Sequence, residues 1–141
     1  MVAFNKFQPF VENLAEGVHD LGADTLKVLL TNTAPAATSG VAADLTEISA
    51  GNGYTAGGAS VTTSDSSQSS GTYKLTLADV VFTASGGSIG PFRYAVLYND
   101  TPTSPADPLI GYWDNGSSET LDDGESVTID FSATNGVLQI A

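Results

Sequence analysis

The chain contains no cysteine, which removes two ways of holding a small domain together, a disulfide framework and a thiolate metal site. Packing must do that work. Basic side chains are almost as scarce: Lys6, Lys27, Lys74 and Arg93 face sixteen acidic residues, for a formal net charge of -12. Phosphate binding needs clustered Lys or Arg, so neither nucleic acid nor anionic membrane is expected as a partner. The same charge steers the chain towards basic surfaces and makes copies repel one another, so self-association requires apolar surface that outweighs the repulsion. No stretch approaches the ~20 apolar residues of a membrane span. A basic run followed by an apolar segment is also missing from the N-terminus, so the chain is expected to be made and kept in a cytoplasm.

What is present fits one domain. A chain of 141 residues can bury about two thirds of its unfolded surface. Near the N-terminus, Phe10, Leu14, Val18 and Leu21 recur at helical spacing and Pro9 suits a first turn, which predicts a helix over 9–20. Phe4 and Phe7 lie in a short arm before it, so residues 1–25 read as an arm and helix packed on, or extending from, the domain. Residues 26–141 read as the domain itself. Its first strand is expected at 26–31. An Ala/Ser/Thr/Gly-rich excursion follows over 32–71, with one short helical turn near 42–47. Excursions of this length are either solvated loops or segments that order against a partner.

From residue 72 onward the pattern is one of strands and tight turns. Tyr73, Leu75 and Leu77 alternate with polar residues, and 80–83 is a further short strand. Residues 92–98 are apolar on both faces, as in a covered central strand. Asn115-Gly116, Asp123-Gly124 and Asn135-Gly136 each carry a two-residue hairpin signal, predicting strands at 109–113, 117–121, 126–131 and 137–140 in a meander. The expected fold is mainly β, a β-sandwich or jelly-roll-like domain with one N-terminal helix.

Residues with catalytic potential are few. The only histidine, His19, sits beside Asp20 near the expected helix end, with no nucleophile turn around it, and reads as a surface or helix-end residue. Asp114, Glu119, Asp122, Asp123 and Glu125 cluster in sequence; paired carboxylates can hydrolyse sugars, and such a cluster can also hold calcium. Most of these residues fall in or beside predicted turns, where Asp bonds its own backbone. The glycine-rich stretches at 51–58 and 86–90 lack the lysine of a phosphate loop. Neither a catalytic constellation nor a cofactor or metal motif is identified, and the chain reads as a binding or assembly protein. Tyr94, Tyr98, Tyr112 and Trp113 fall on neighbouring predicted strands, where core packing is the commoner role and interface anchoring the alternative.

Five strings carry a resemblance: DLTEISAGNGYTAGGASV at 44–61, TYKLTLADVVFTA at 72–84, GPFRYAVLYND at 90–100, PLIGYWDNG at 108–116 and DDGESVTIDFSATNGVLQI at 122–140. With the opening FNKFQPFVENLAEGVHDLGADTLKVLLTNTAP at 4–35, they resemble small virion structural proteins of tailed bacteriophages, most of all capsid decoration, or cement, proteins. The resemblance implies a protein on the outer capsid surface, made in the host cytoplasm. It implies binding between subunits of the major capsid protein, often as a homotrimer, reinforcing the mature shell. Tail and head-fibre proteins that recognise host surfaces are the alternative. On the decoration reading, Phe4, Phe7, Phe10 and Leu14 of the arm and helix, together with Tyr54 in the excursion, are expected to contact capsid or sister subunits, with Tyr112 and Trp113 as candidate anchors.

Overall fold

The structure is a computed structural model that describes residues 3–141; Met1 and Val2, the start of the expected arm, lie outside the described residues. Among the described residues the fold is mainly β with a single α-helix near the N-terminus. The arm forms a short strand β1 (Asn5–Lys6), followed by helix α1 (Gln8–Ala15) with Pro9 in its first turn. The helix is shorter than its apolar spacing predicts because Gly17 adopts φ +80°. The Gly17 N–H then reaches the Leu14 carbonyl (3.4 Å) and the Val18 N–H that of Asn13 (2.9 Å), closing the C-terminus in a Schellman cap.

Strand β2 (Leu26–Thr31) occupies the predicted residues. After it come β3 (Ala59–Val61), β4 (Thr63–Ser69), β5 (Thr72–Leu77), β6 (Val80–Thr83), β7 (Ile89–Asn99), β8 (Leu109–Leu121), β9 (Ser126–Ile129) and β10 (Leu138–Ile140). Three sheets result, in the orders β1-β8-β7-β2-β3, β10-β5-β4 and β6-β9. The five-stranded sheet is apolar on both faces. Leu26, Val28 and Leu30 of β2, with Ala95 and Leu97 of β7, point into the main core. There they meet Leu75 and Leu77 of β5, Phe82 of β6 and Ile129 of β9, so the two smaller sheets form the opposing layer. Leu29, Val96 and Tyr98 point the other way, where Phe7 and half-buried Ala42 and Leu45 cover them. The alternation follows from the strand period of two, and coverage on both faces explains why 92–98 is apolar throughout.

Three expectations are corrected. The 32–71 segment is not one loop. Its second part is β4, which forms a hairpin with β5 through Ser70 (φ +51°) and Gly71 (φ +83°), a two-residue turn with both φ positive. Its first part is irregular but pinned. The Tyr54 hydroxyl donates to Glu47 Oε1 (2.7 Å) and accepts the Leu30 N–H (3.0 Å), at the edge of β2 beyond the end of β3. Second, Asn115-Gly116 does not make a hairpin. Strand β8 runs unbroken through it, and between the pairs Tyr94↔Asp114 and Phe92↔Glu119, β7 advances two residues while β8 advances five. The left-handed Gly116 (φ +89°) serves a large bulge instead. Third, the C-terminal strands are not a meander. β9 pairs with β6 and β10 with β5, so the turns at 123–124 and 135–136 pass the chain between sheets. Val127, Ile129 and Phe131 gain burial against the main core that a local hairpin would not provide.

Candidate binding cleft

A cleft of about 380 Å³ opens between β9 and the end of the five-stranded sheet where β2 stops. Leu30, Phe92, Trp113 and Ile129 form its floor; Arg93, Asn115, Glu119, Thr128 and Asp130 stand around it. Trp113 is held from both sides, its ring centroid 5.2 Å from that of Phe4 and 5.3 Å from that of Phe131. The bulge in β8 puts Asn115 and Glu119 at the mouth, and the end of β9 puts Asp130 there.

Arg93 is anchored beside the cleft. Its Nε donates to Asp114 Oδ1 (2.8 Å) and a second guanidinium nitrogen to Oδ2 (3.1 Å), while the guanidinium lies 5.4 Å from the centroid of the Tyr94 ring. The Arg93 hydrogen bonds, followed by the Gly116 N–H, hold the Asp114 carboxyl below the usual carboxylate range. Both partners are more than a third exposed, so the pair orients the bulge and adds little stability. Neither Glu119 nor Asp130 forms an ion pair with a Lys or Arg among the described residues.

Two further carboxylates of the acidic segment accept backbone N–H groups, one from a distant loop and one within the turn. Asp123 Oδ1 accepts the Gly86 N–H (3.0 Å) and Glu125 Oε1 the Asp122 N–H (2.8 Å). Among the described residues, no group of three or more His, Asp or Glu is placed to share a metal ion.

The residues expected at an interface separate into two sets. Phe7 (0% exposed), Phe10 (5%) and Tyr54 (2%) are buried within this chain and present no surface to a partner, which corrects their assignment as contact residues. Phe7 seals the outer face of the large sheet, Phe10 packs on His19 with centroids 5.2 Å apart, and Tyr54 ties the excursion to β2. Phe4, Leu14 and Tyr112 are half-buried. Trp113 is buried as well, yet it reaches the cleft floor. The cleft therefore gathers Trp113 and Tyr94, both weighed above as interface anchors, and Glu119 of the acidic cluster, with others that sequence reasoning did not single out for binding: Asp130, Arg93 and the edge of β9. The bulge was the available signal, disguised as a hairpin turn.

His19 is also corrected, from surface to interior. It lies in the segment after the helix, 6% exposed, and Asn99 Nδ2 donates to its Nδ1 (3.1 Å) and to Asp24 Oδ2 (2.7 Å). Burial lowers its pKa, and the nearby Asp24 opposes that only in part. Its Nε2 has no hydrogen-bond partner among the described residues.

No protein-family model, curated protein or solved structure matches the chain.

Proposed function

We propose that this chain is a tailed-bacteriophage virion protein that decorates the outer surface of the expanded capsid and stabilises the lattice of the major capsid protein. The sequence resemblance points to the virion. The observation that supports docking is the distribution of charge. Three of the four cationic side chains are engaged within the chain: Lys27 with Asp100 (3.5 Å), Arg93 with Asp114, and Lys74 Nζ with the Thr134 carbonyl (3.1 Å). Carboxylates therefore set the external field, and a partner must be basic where it meets them. A two-layer sandwich gives such a surface a fixed shape. Binding only the expanded lattice stabilises that lattice by mass action, without bond-making chemistry.

Exposed large apolar side chains among the described residues are Val11, Val81 and Ile140, each on a different element. A free trimer would need a continuous apolar face to overcome like charge. In this reading the trimer forms on the shell, where each copy meets the lattice first.

The test mixes the purified chain with expanded and unexpanded capsids that lack it and measures co-sedimentation. Saturable binding to expanded capsids alone, weakened by salt, is expected. Binding to neither, or binding to host cells or polysaccharide in place of capsids, would contradict the decoration role.

A further inference from the structure

The cleft has the features of a vacant strand position. Residues 92–95 of β7 and 127–130 of β9 line it consecutively. Side chains alternate between the two faces of a strand, so consecutive lining residues mean that each strand turns an edge to the space. Among the described residues β9 pairs with β6 alone, and the pairing of β7 with β2 ends at Tyr94. At one end of β9 the Ala84 N–H donates to the Glu125 carbonyl (2.8 Å); at the other, the Phe131 N–H donates to Asp79 Oδ1 (2.8 Å), just before β6. Antiparallel alternation then directs the backbone groups of Val127 and Ile129 to β6 and those of Ser126 and Thr128 outward. Such an unpaired edge is a template on which an extended peptide can add.

Floor and rim define the occupant. The floor accepts an apolar side chain, and Glu119 and Asp130 at the mouth have no ion-pair partner among the described residues, since Arg93 is held by Asp114. A second copy, itself carrying a net charge of -12, is a poor match for that rim.

We propose that the cleft binds an extended segment of a partner protein, added as a strand along β9 and carrying an apolar side chain flanked by lysine or arginine. Naming the capsid subunit as that partner rests on the function proposed above; the cleft's chemistry does not.

The test uses the full isotope-labelled chain and a capped pentapeptide of alternating lysine and valine, with the glutamate–valine pentapeptide as control. Saturable amide shifts confined to residues 92–95, 113–119 and 126–130 are expected with the lysine peptide and none with the control. Glu119→Lys with Asp130→Lys should weaken binding about tenfold or more. Thr128→Pro should abolish it, because it removes an outward N–H and leaves the β6 ladder intact. Unchanged amide shifts elsewhere verify that the variants fold. Equal response to both peptides, shifts outside the cleft, or undiminished affinity in the charge-reversed variant would overturn the proposal. Expanded capsids separate the two claims. If the parent chain binds them and the charge-reversed variant does not, the cleft is the docking site. If both bind alike, the cleft is not that site and the decoration role stands. If the parent fails to bind, the decoration role falls and the peptide measurement alone decides the cleft.

Discussion

Residues 32–62 and the hairpin 63–77 have opposite relations between regularity and anchorage. The first segment is largely irregular, yet Tyr54 is buried beneath β2 and Gly58 lies so close to it that a Cβ would collide with the Val28 carbonyl oxygen. The hairpin is paired along its length, with one register shift between Thr63 and Asp65, yet β4 is mostly exposed and contributes no residue to the main core. Hydrogen-bonded regularity and contribution to stability are therefore separate properties here. An irregular segment is fixed by a few buried contacts, whereas β4 is a polar strand that β5 templates.

That contrast breaks most sharply at Tyr54. Replacing it with Ala removes a buried ring and the hydroxyl that bridges Leu30 and Glu47, and should cost about 3–5 kcal/mol. A denaturant midpoint within error of the parent would mean that the irregular segment is not anchored. Gly58→Ala comes next. With φ +82° and the Val28 backbone in the way, the conformational term alone should cost about 1–3 kcal/mol, read as a lower thermal midpoint and faster amide exchange in β3.

The hairpin has its own pH-sensitive neighbour, because the depression containing His19 is walled by Ser66 of β4 and Tyr73 of β5. The folded-state pKa of His19 lies below its ordinary value. As pH falls through about 6.5, the unfolded chain takes up a proton that the folded chain resists. Stability should therefore be level above that pH and decline below it, until the folded-state pKa is reached. Denaturant curves at successive pH values should show a smaller decline in His19→Asn, which keeps an acceptor for Asn99. An identical decline would assign the acid sensitivity to other groups. The smallest effect is expected on β4: Ser67→Ala, at an exposed site bonded only to Asp65, should change stability by less than about 0.5 kcal/mol.

What could be read from sequence depended on whether the signal was local. Strands β2 and β6 fall on their predicted residues because apolar runs between turn formers are local facts, and the mainly β class with one N-terminal helix followed from them. The helix was overextended because Val18 and Leu21 keep the apolar spacing beyond Gly17, whose left-handed conformation ends it. β4, TSDSSQS, has no apolar alternation to betray it and exists because β5 offers an edge. The pairing of β9 with β6 and of β10 with β5 is set by burial across the core, which hairpin dipeptides do not encode. The cleft was hidden for the same reason. Its walls come from strands far apart in sequence, and Asn115-Gly116, read as a turn, is the bulge that shapes its mouth.

The decoration role proposed above makes this chain a repeated clamp on a protein shell. Quantitative mass spectrometry of purified virions tests that role by counting copies against the major capsid protein. A fixed ratio near the number of lattice sites is predicted; a few copies per particle, as for a tail or fibre component, would contradict it.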